Sequence, residues 1–216
     1  MAAGKRLKFQ GSKLQVSTGA ATAKTITDID NTDPALVTST AHGLALGAVG
    51  RIAAVVGMTE VNGKLFVVDN PETNDFELAG IDATGYTPYT SGGTFSPLTF
   101  SDFCELTGVD QQDGTADEIE VTTICSTAKE FEQGLPDGGT LTLNYNYAPN
   151  EAVQAAIRQA KVAQEEVAVR ITFPNNGGTV VMIGHVQQSS FSGAVAGVWT
   201  GSTTLKLTGE IFVLAA

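Results

Sequence analysis

Two cysteines, Cys104 and Cys125, and two histidines, His42 and His185, are the residues best suited to nucleophilic or metal chemistry in this 216-residue chain. A structural zinc site wants about four ligands at tight spacing, and the cysteines stand alone, so both read as plain thiols. An activated nucleophile needs a base within reach and a sequence context that presents it; neither histidine has one. His42 sits in Thr-Ala-His-Gly and His185 in an apolar strand, and both read as structural. Gly57-Met-Thr-Glu-Val-Asn-Gly63-Lys64-Leu65 imitates a phosphate loop. It has five residues between its glycines instead of four, and Leu where a hydroxyl must reach magnesium, so a turn at Asn62-Gly63 is the better reading. Asp28-Ile-Asp30-Asn31-Thr-Asp33 opens like a calcium loop but puts Asp33 where the loop needs Gly and Ser39 where it needs a bidentate Glu. The adjacent acids Asp117-Glu118 and Glu165-Glu166 cannot converge on one glycosidic bond, because neighbours on a strand point to opposite faces. The expectation is a chain with no catalytic residue, no metal and no cofactor.

The elements behind these residues are mostly strands. Leu141, Leu143, Tyr145 and Tyr147 share one face by strict alternation, as do Val167, Val169, Ile171 and Phe173, and then Leu205, Leu207, Gly209, Ile211 and Val213. Val180 to Val186 is more uniformly apolar, as in a strand covered on both sides. Gly-Gly-Thr before an apolar residue recurs at Gly92, Gly138 and Gly177, each read as a turn feeding a strand rather than as a true repeat. One helical period stands out: Val153, Ile157 and Ala160 predict a helix over about 150–163, with Asn150 as N-cap and Glu151 at the positive end of its dipole. One helix among many strands makes a β-sandwich or barrel.

Charge is unevenly placed. The formal net charge is −11, which argues against tight nucleic-acid binding, since affinity for phosphate backbones comes from Lys and Arg. Residues 25–95 carry nine acids and two bases; residues 102–137 carry ten acids against Lys129; residues 1–24 carry five bases and no acid. A basic arm and an acidic stretch in one chain suit head-to-tail association between copies. No run is long and apolar enough to span a bilayer, and no apolar segment follows the basic start, so no secretory signal and no membrane binding are expected.

The order Glu105-Leu-Thr-Gly108, Thr115-Ala-Asp-Glu-Ile-Glu-Val-Thr-Thr123, Ser126-Thr-Ala-Lys-Glu-Phe131, Gly134-Leu-Pro-Asp-Gly138, Leu141-Thr-Leu-Asn-Tyr145, the helix and Val169-Arg-Ile-Thr-Phe-Pro174 resembles the tail tube protein of long, non-contractile-tailed (siphovirus-like) bacteriophages. The likeness covers residues 1–24 and 96–216. It implies a mainly β fold, a tail-tube sandwich or barrel with one flanking helix, assembled as hexameric rings stacked into a virion tube. It implies as partners the chain itself, tape measure, tail terminator and baseplate hub proteins, and double-stranded DNA that passes during ejection without tight binding. Assembly in the host cytoplasm and residence in the virion tail follow. Lumen-facing acids are expected among Asp110, Asp113, Asp117, Glu118 and Glu120. The ring-stacking loop, matched to 122–138, is expected to use Thr122, Lys129, Glu130, Phe131, Leu135 and Asp137, and the N-terminal arm Lys5, Arg6 and Lys8. Residues 25–95 read as an inserted small all-β module on the outer surface, similar to the first catalytic cysteine half-domain of ubiquitin-activating enzymes but without any cysteine for that chemistry. The competing expectations are another virion component (baseplate, decoration or adhesin protein) and a glycan-binding β module.

Overall fold

A computed structural model describes residues 7–135 and 137–214. In chain order the strands are β1 (Lys13–Ala20), β2 (Lys24–Thr25), β3 (Asp28–Ile29), β4 (Ala35–Thr38), β5 (Val49–Val56), β6 (Leu65–Asp69), β7 (Asp75–Leu78), β8 (Ser91–Asp102), β9 (Leu106–Gln112), β10 (Glu118–Glu120), β11 (Phe131–Gln133), β12 (Thr140–Asn146), β13 (Glu166–Thr172), β14 (Thr179–Ser192), β15 (Thr200–Leu207) and β16 (Phe212–Leu214). Helix α1 (Ala152–Ala163) lies between β12 and β13. All strands but β10 and β11 join one antiparallel sheet in the order β3-β4-β7-β6-β5-β8-β1-β13-β14-β15-β12-β9, with β16 on β14 and β2 on β8.

That sheet folds into layers because β14 is long and bends at a bulge between Val186 and Gln188. Its first half pairs with β13 and its second half with β15. One layer is therefore β8-β1-β13-β14 and the other β14-β15-β12-β9. Val16, Val169 and Met182 from the first pack against Leu141, Leu143 and Leu205 from the second, and α1 adds Val153 and Ile157 to this core. The apolar run in β14 is covered on both faces as expected. Met182 belongs to the sandwich core, while Val181 and Ile183 face the other way and meet Val49, Leu65 and Val67.

The helix begins later than its period predicts, and Glu151 rather than Asn150 is the N-cap. Its carboxylate accepts from the Val153 and Gln154 N–H groups at 2.9 and 3.1 Å, two donors that a helix start leaves open. Buried Gln154 then ties α1 to the end of β12, donating to the Asn146 carbonyl at 2.9 Å and accepting from the Ala148 N–H at 2.9 Å.

Two other readings need correction. Gly92 and Gly93 are not a turn but lie inside β8, both at positive φ, where β8 pairs with β5 in unshifted register. A Cβ on Gly93 would sit 2.6 Å from the Val55 side chain, so glycine is required for the close approach. The alternation from Leu205 to Val213 is not one strand: β15 stops at Leu207, Gly209 turns with φ 77, and β16 crosses to the first half of β14.

Residues 26–95 build their own core around Ile52, Phe66, Phe76 and Phe95, with the last two rings edge to face at 5.0 Å. This core does not stand apart from the sandwich. β8 pairs with β5 through Pro97 and with β1 from Leu98, so one strand serves both halves. A third apolar cluster joins Val49, Leu65, Val67 and Ala79 to Ala168, Val181, Ile183, Leu98 and Phe100. Half-buried Arg170 closes this contact, with its guanidinium 4.4 Å from the Phe100 ring centre and donating to the Gly47 carbonyl at 2.9 Å; burial pulls its pKa down.

Candidate assembly surface

The strands β14-β15-β12-β9 alternate between two faces apart from irregularities at Val186/Gln188 and Asn144/Tyr145, and the two faces differ. Leu141 stands opposite Leu205, Leu143 opposite Thr203 and Val109, and Tyr145 opposite Gly201, all toward the core. The other face sets Thr142 opposite Thr204 and Asp110, Asn144 opposite Ser202, and Ser190 opposite Ser202. It is a hydroxyl- and amide-rich surface, with Thr142 and Thr204 hydrogen bonded across it at 3.3 Å. It lies on the far side of the sandwich from the module, because the first layer presents Met182 to the core and Val181 to the module. Among the described residues, nothing pairs with the outer edge of β9 or with the β13-side edge of β14 beyond His185.

Of the five acids proposed for a lumen, Asp110 stands on this polar face. Asp113 follows the end of β9 and accepts from Gln111 at 2.7 Å, while Asp117, Glu118 and Glu120 lie on an arm that leaves the sheet between β9 and β12. They do not form one cluster with Asp110.

That arm is a hairpin in which Glu118 pairs with Gln133, Ile119 with Glu132 and Glu120 with Phe131. Its tip is knitted by side chains. Thr122 Oγ1 accepts from the Glu130 N–H at 3.1 Å and donates to Glu120 at 3.0 Å, and Lys129 pairs with Glu120 at 3.3 Å. Lys129 also lies 5.9 Å from the Phe131 ring centre. The structure thus brings Thr122, Lys129, Glu130 and Phe131 together; Leu135 lies exposed on the return, and Asp137 sits at the arm's base. There Lys206 binds both Asp137 oxygens, and this, followed by the Gly139 N–H, holds the Asp137 carboxyl below the usual range. Sequence reasoning passed over exposed Ile119 and Ile124 on the same arm, whose only signal was an apolar side chain in an acidic run.

Of the proposed arm contacts, Lys5 and Arg6 lie outside the described residues, and Lys8 is exposed with no ion pair among the described residues. Lys13 pairs with Asp102 at 3.1 Å; the Gln15 amide, then Lys13, lowers the Asp102 pKa.

The residues weighed for chemistry are dispersed. Both cysteines are free and exposed. His42 is buried, its Nδ1 accepting from the Leu44 N–H at 3.0 Å and its Nε2 3.2 Å from the Asp75 carbonyl, which assigns it to packing. His185 is half exposed, 3.7 Å from Glu166. Among the described residues, no group of three His, Cys, Asp or Glu could hold a metal. Among the described residues, no helix is long and apolar enough to cross a membrane. Residues 56–216 match the family model described as phage tail tube protein, TTP. A search of curated proteins finds no match to the chain.

Proposed function

We propose, from the premise that this chain belongs to the phage tail tube protein family, that it is the major tube subunit of a long non-contractile tail, closing into hexameric rings that stack around a DNA channel. Membership makes it a structural, non-enzymatic component of a virion tail, one that assembles with itself and with other tail proteins. The ring is the finer step, and one observation carries it: a four-stranded sheet with both edges open. Its strands alternate in direction, so β9 of one copy and the second half of β14 of the next are antiparallel when set side by side. Every copy then uses both edges, and closure removes the hazard that open edges present.

The polar face of that sheet lines the channel in this reading, and the module at residues 25–95 projects outside, since the two lie on opposite sides of the sandwich core. Hydroxyl and amide groups with Asp110 dominate this face, and its one lysine on β15, Lys206, is neutralised by Asp137, so among the described residues DNA meets no free cation there and slides without sticking. The hairpin arm reaches along the axis to the adjacent ring, with Phe131 and Leu135 as its apolar anchors and Lys8 of the basic N-terminal arm among the charges it meets. Tape measure, terminator and baseplate hub proteins occupy the channel and the two tube ends. The module keeps the β architecture of the activating-enzyme half-domain it resembles, with a structural role.

Negative-stain microscopy of the purified full chain tests the reading. Rings and hollow tubes are the expected result; a monodisperse monomer across the micromolar range, or a discrete oligomer that binds sugar, overturns it.

A further inference from the structure

A groove of about 610 Å³ opens where the two sandwich layers part, between Phe9 and Leu14 on one side and Leu106 and Val109 of β9 on the other, with Phe103 and Phe173 in its walls. At the opposite edge of the four-stranded sheet, β14 presents Phe191. Its ring stacks on Tyr147 with centroids 4.7 Å apart and yet is 61% exposed; Trp199, 57% exposed, tilts against it at 6.0 Å. Both features are on the core-facing side of the sheet. Val109 stands opposite buried Leu143, and Phe191 opposite Gly201, which stands opposite buried Tyr145. They are also level along the strands, because Leu106 stands opposite the same Tyr145.

We propose, resting on the ring reading above, that Phe191 of one copy fills the β9 groove of the next, with Trp199 closing over it. Pairing β14 with a neighbour's β9 makes the core-facing sides of the two sheets continuous, which carries Phe191 over Leu106 and Val109. Charge favours a second copy as the occupant. Residues 186–205 hold no charged side chain in a chain of net charge −11, so this edge is buried without desolvating an ion or opposing acid to acid. The groove's rim charges, Lys13 and Asp102, already neutralise one another at 3.1 Å. Large aromatics at such positions carry most of an interface's energy.

Cys104 lines the groove and supplies the test. In a Cys125→Ser background, Phe191→Cys leaves one native and one introduced thiol. Within one copy, positions 104 and 191 are separated by three strand spacings, about 14 Å, too far for a disulfide, whose Cα atoms lie within about 7 Å. Mild oxidation of assembled protein is expected to give a covalent ladder on non-reducing gels that ends at the ring size and disappears with Cys104→Ser. If Phe191→Cys does not assemble while Ser190→Cys, on the polar face of the same strand, does, that loss is the result expected of a buried anchor. Wild-type tubes together with assembled Phe191→Cys protein that gives no ladder overturn the groove assignment and leave the ring standing. Wild-type protein that forms no rings overturns both.

Discussion

Truncating both apolar anchors of the hairpin arm, Phe131→Ala with Leu135→Ala, separates folding from stacking. Phe131 is 52% exposed and Leu135 89% exposed, so neither supports the fold to any large extent and both hold apolar area in reserve for a partner. Burying a whole Phe or Leu side chain is worth about 1.5–3 kcal/mol. Scaled by exposure and discounted for the Cβ that alanine keeps, the pair is worth about 2–3 kcal/mol per copy. At about 1.4 kcal/mol per factor of ten, the critical concentration for tube growth rises roughly 30- to 150-fold if single copies add. If whole rings add, the arms of a ring act together and tubes disappear at any practical concentration. The assay is sedimentation of tubes across a dilution series, read beside the thermal midpoint. An unchanged midpoint with the raised critical concentration is expected. A critical concentration within about threefold of wild type refutes the assignment of stacking to this arm.

Three further outcomes are expected. Asp110→Lys, at the acid on the polar face of the sheet, leaves tube formation unchanged and slows DNA release from virions; unaltered ejection kinetics count against that face as the lumen. Glu151→Ala removes the acceptor of two helix-start N–H groups and lowers stability by about 1 kcal/mol, which for a chain this long moves the thermal midpoint down by about 2–4 °C, measurable by calorimetry. Replacing residues 25–90 with a short Gly/Ser linker, while keeping the shared strand β8, bares Val181 and Ile183; with both changed to Thr, tubes of normal bore and reduced outer diameter form, whereas a folded monomer would place the module in the tube wall.

Periodicity made the sandwich legible wherever burial follows strand alternation. Leu141, Leu143 and Tyr145 are buried on one face, and the unbroken apolar run at Val180 to Val186 is covered on two sides. What escaped depends on contacts between distant residues. Gly92-Gly93 has turn composition, but pairing with β5 on one side and continuation into β1 pairing on the other draws it into β8. The cluster joining the module to the sandwich sets Val49 and Val67 against Val181 and Ile183, more than a hundred positions away, so no local pattern announces it. The capping role passed from Asn150 to Glu151 because a longer side chain placed one residue later still reaches the first free N–H groups. In the assembly surface, the acidic run was plain in composition, but which acid meets the polar face follows from register, and only Asp110 is in it. Nothing in the sequence marks Phe191 or Trp199, since alternation predicts a face and not whether the chain itself covers it.

An isolated copy with two open edges would pair indiscriminately, and the distribution of charge selects among the pairings. A two-fold β9-to-β9 contact is antiparallel and geometrically allowed. It sets the Asp110-bearing edges of two copies against each other, brings up a second acidic arm, and leaves Phe191 uncovered at both outer edges. A β14-to-β14 contact carries no such repulsion, but it strands both β9 grooves empty and both acidic arms at outer edges. The cyclic seam proposed above would join an edge with one acid to an edge with none, cover Phe191, fill the groove, and leave no edge over once the ring closed. The net charge of −11 opposes every contact between copies to some degree, so the pairing that survives is the one that buries most apolar surface while meeting least like charge.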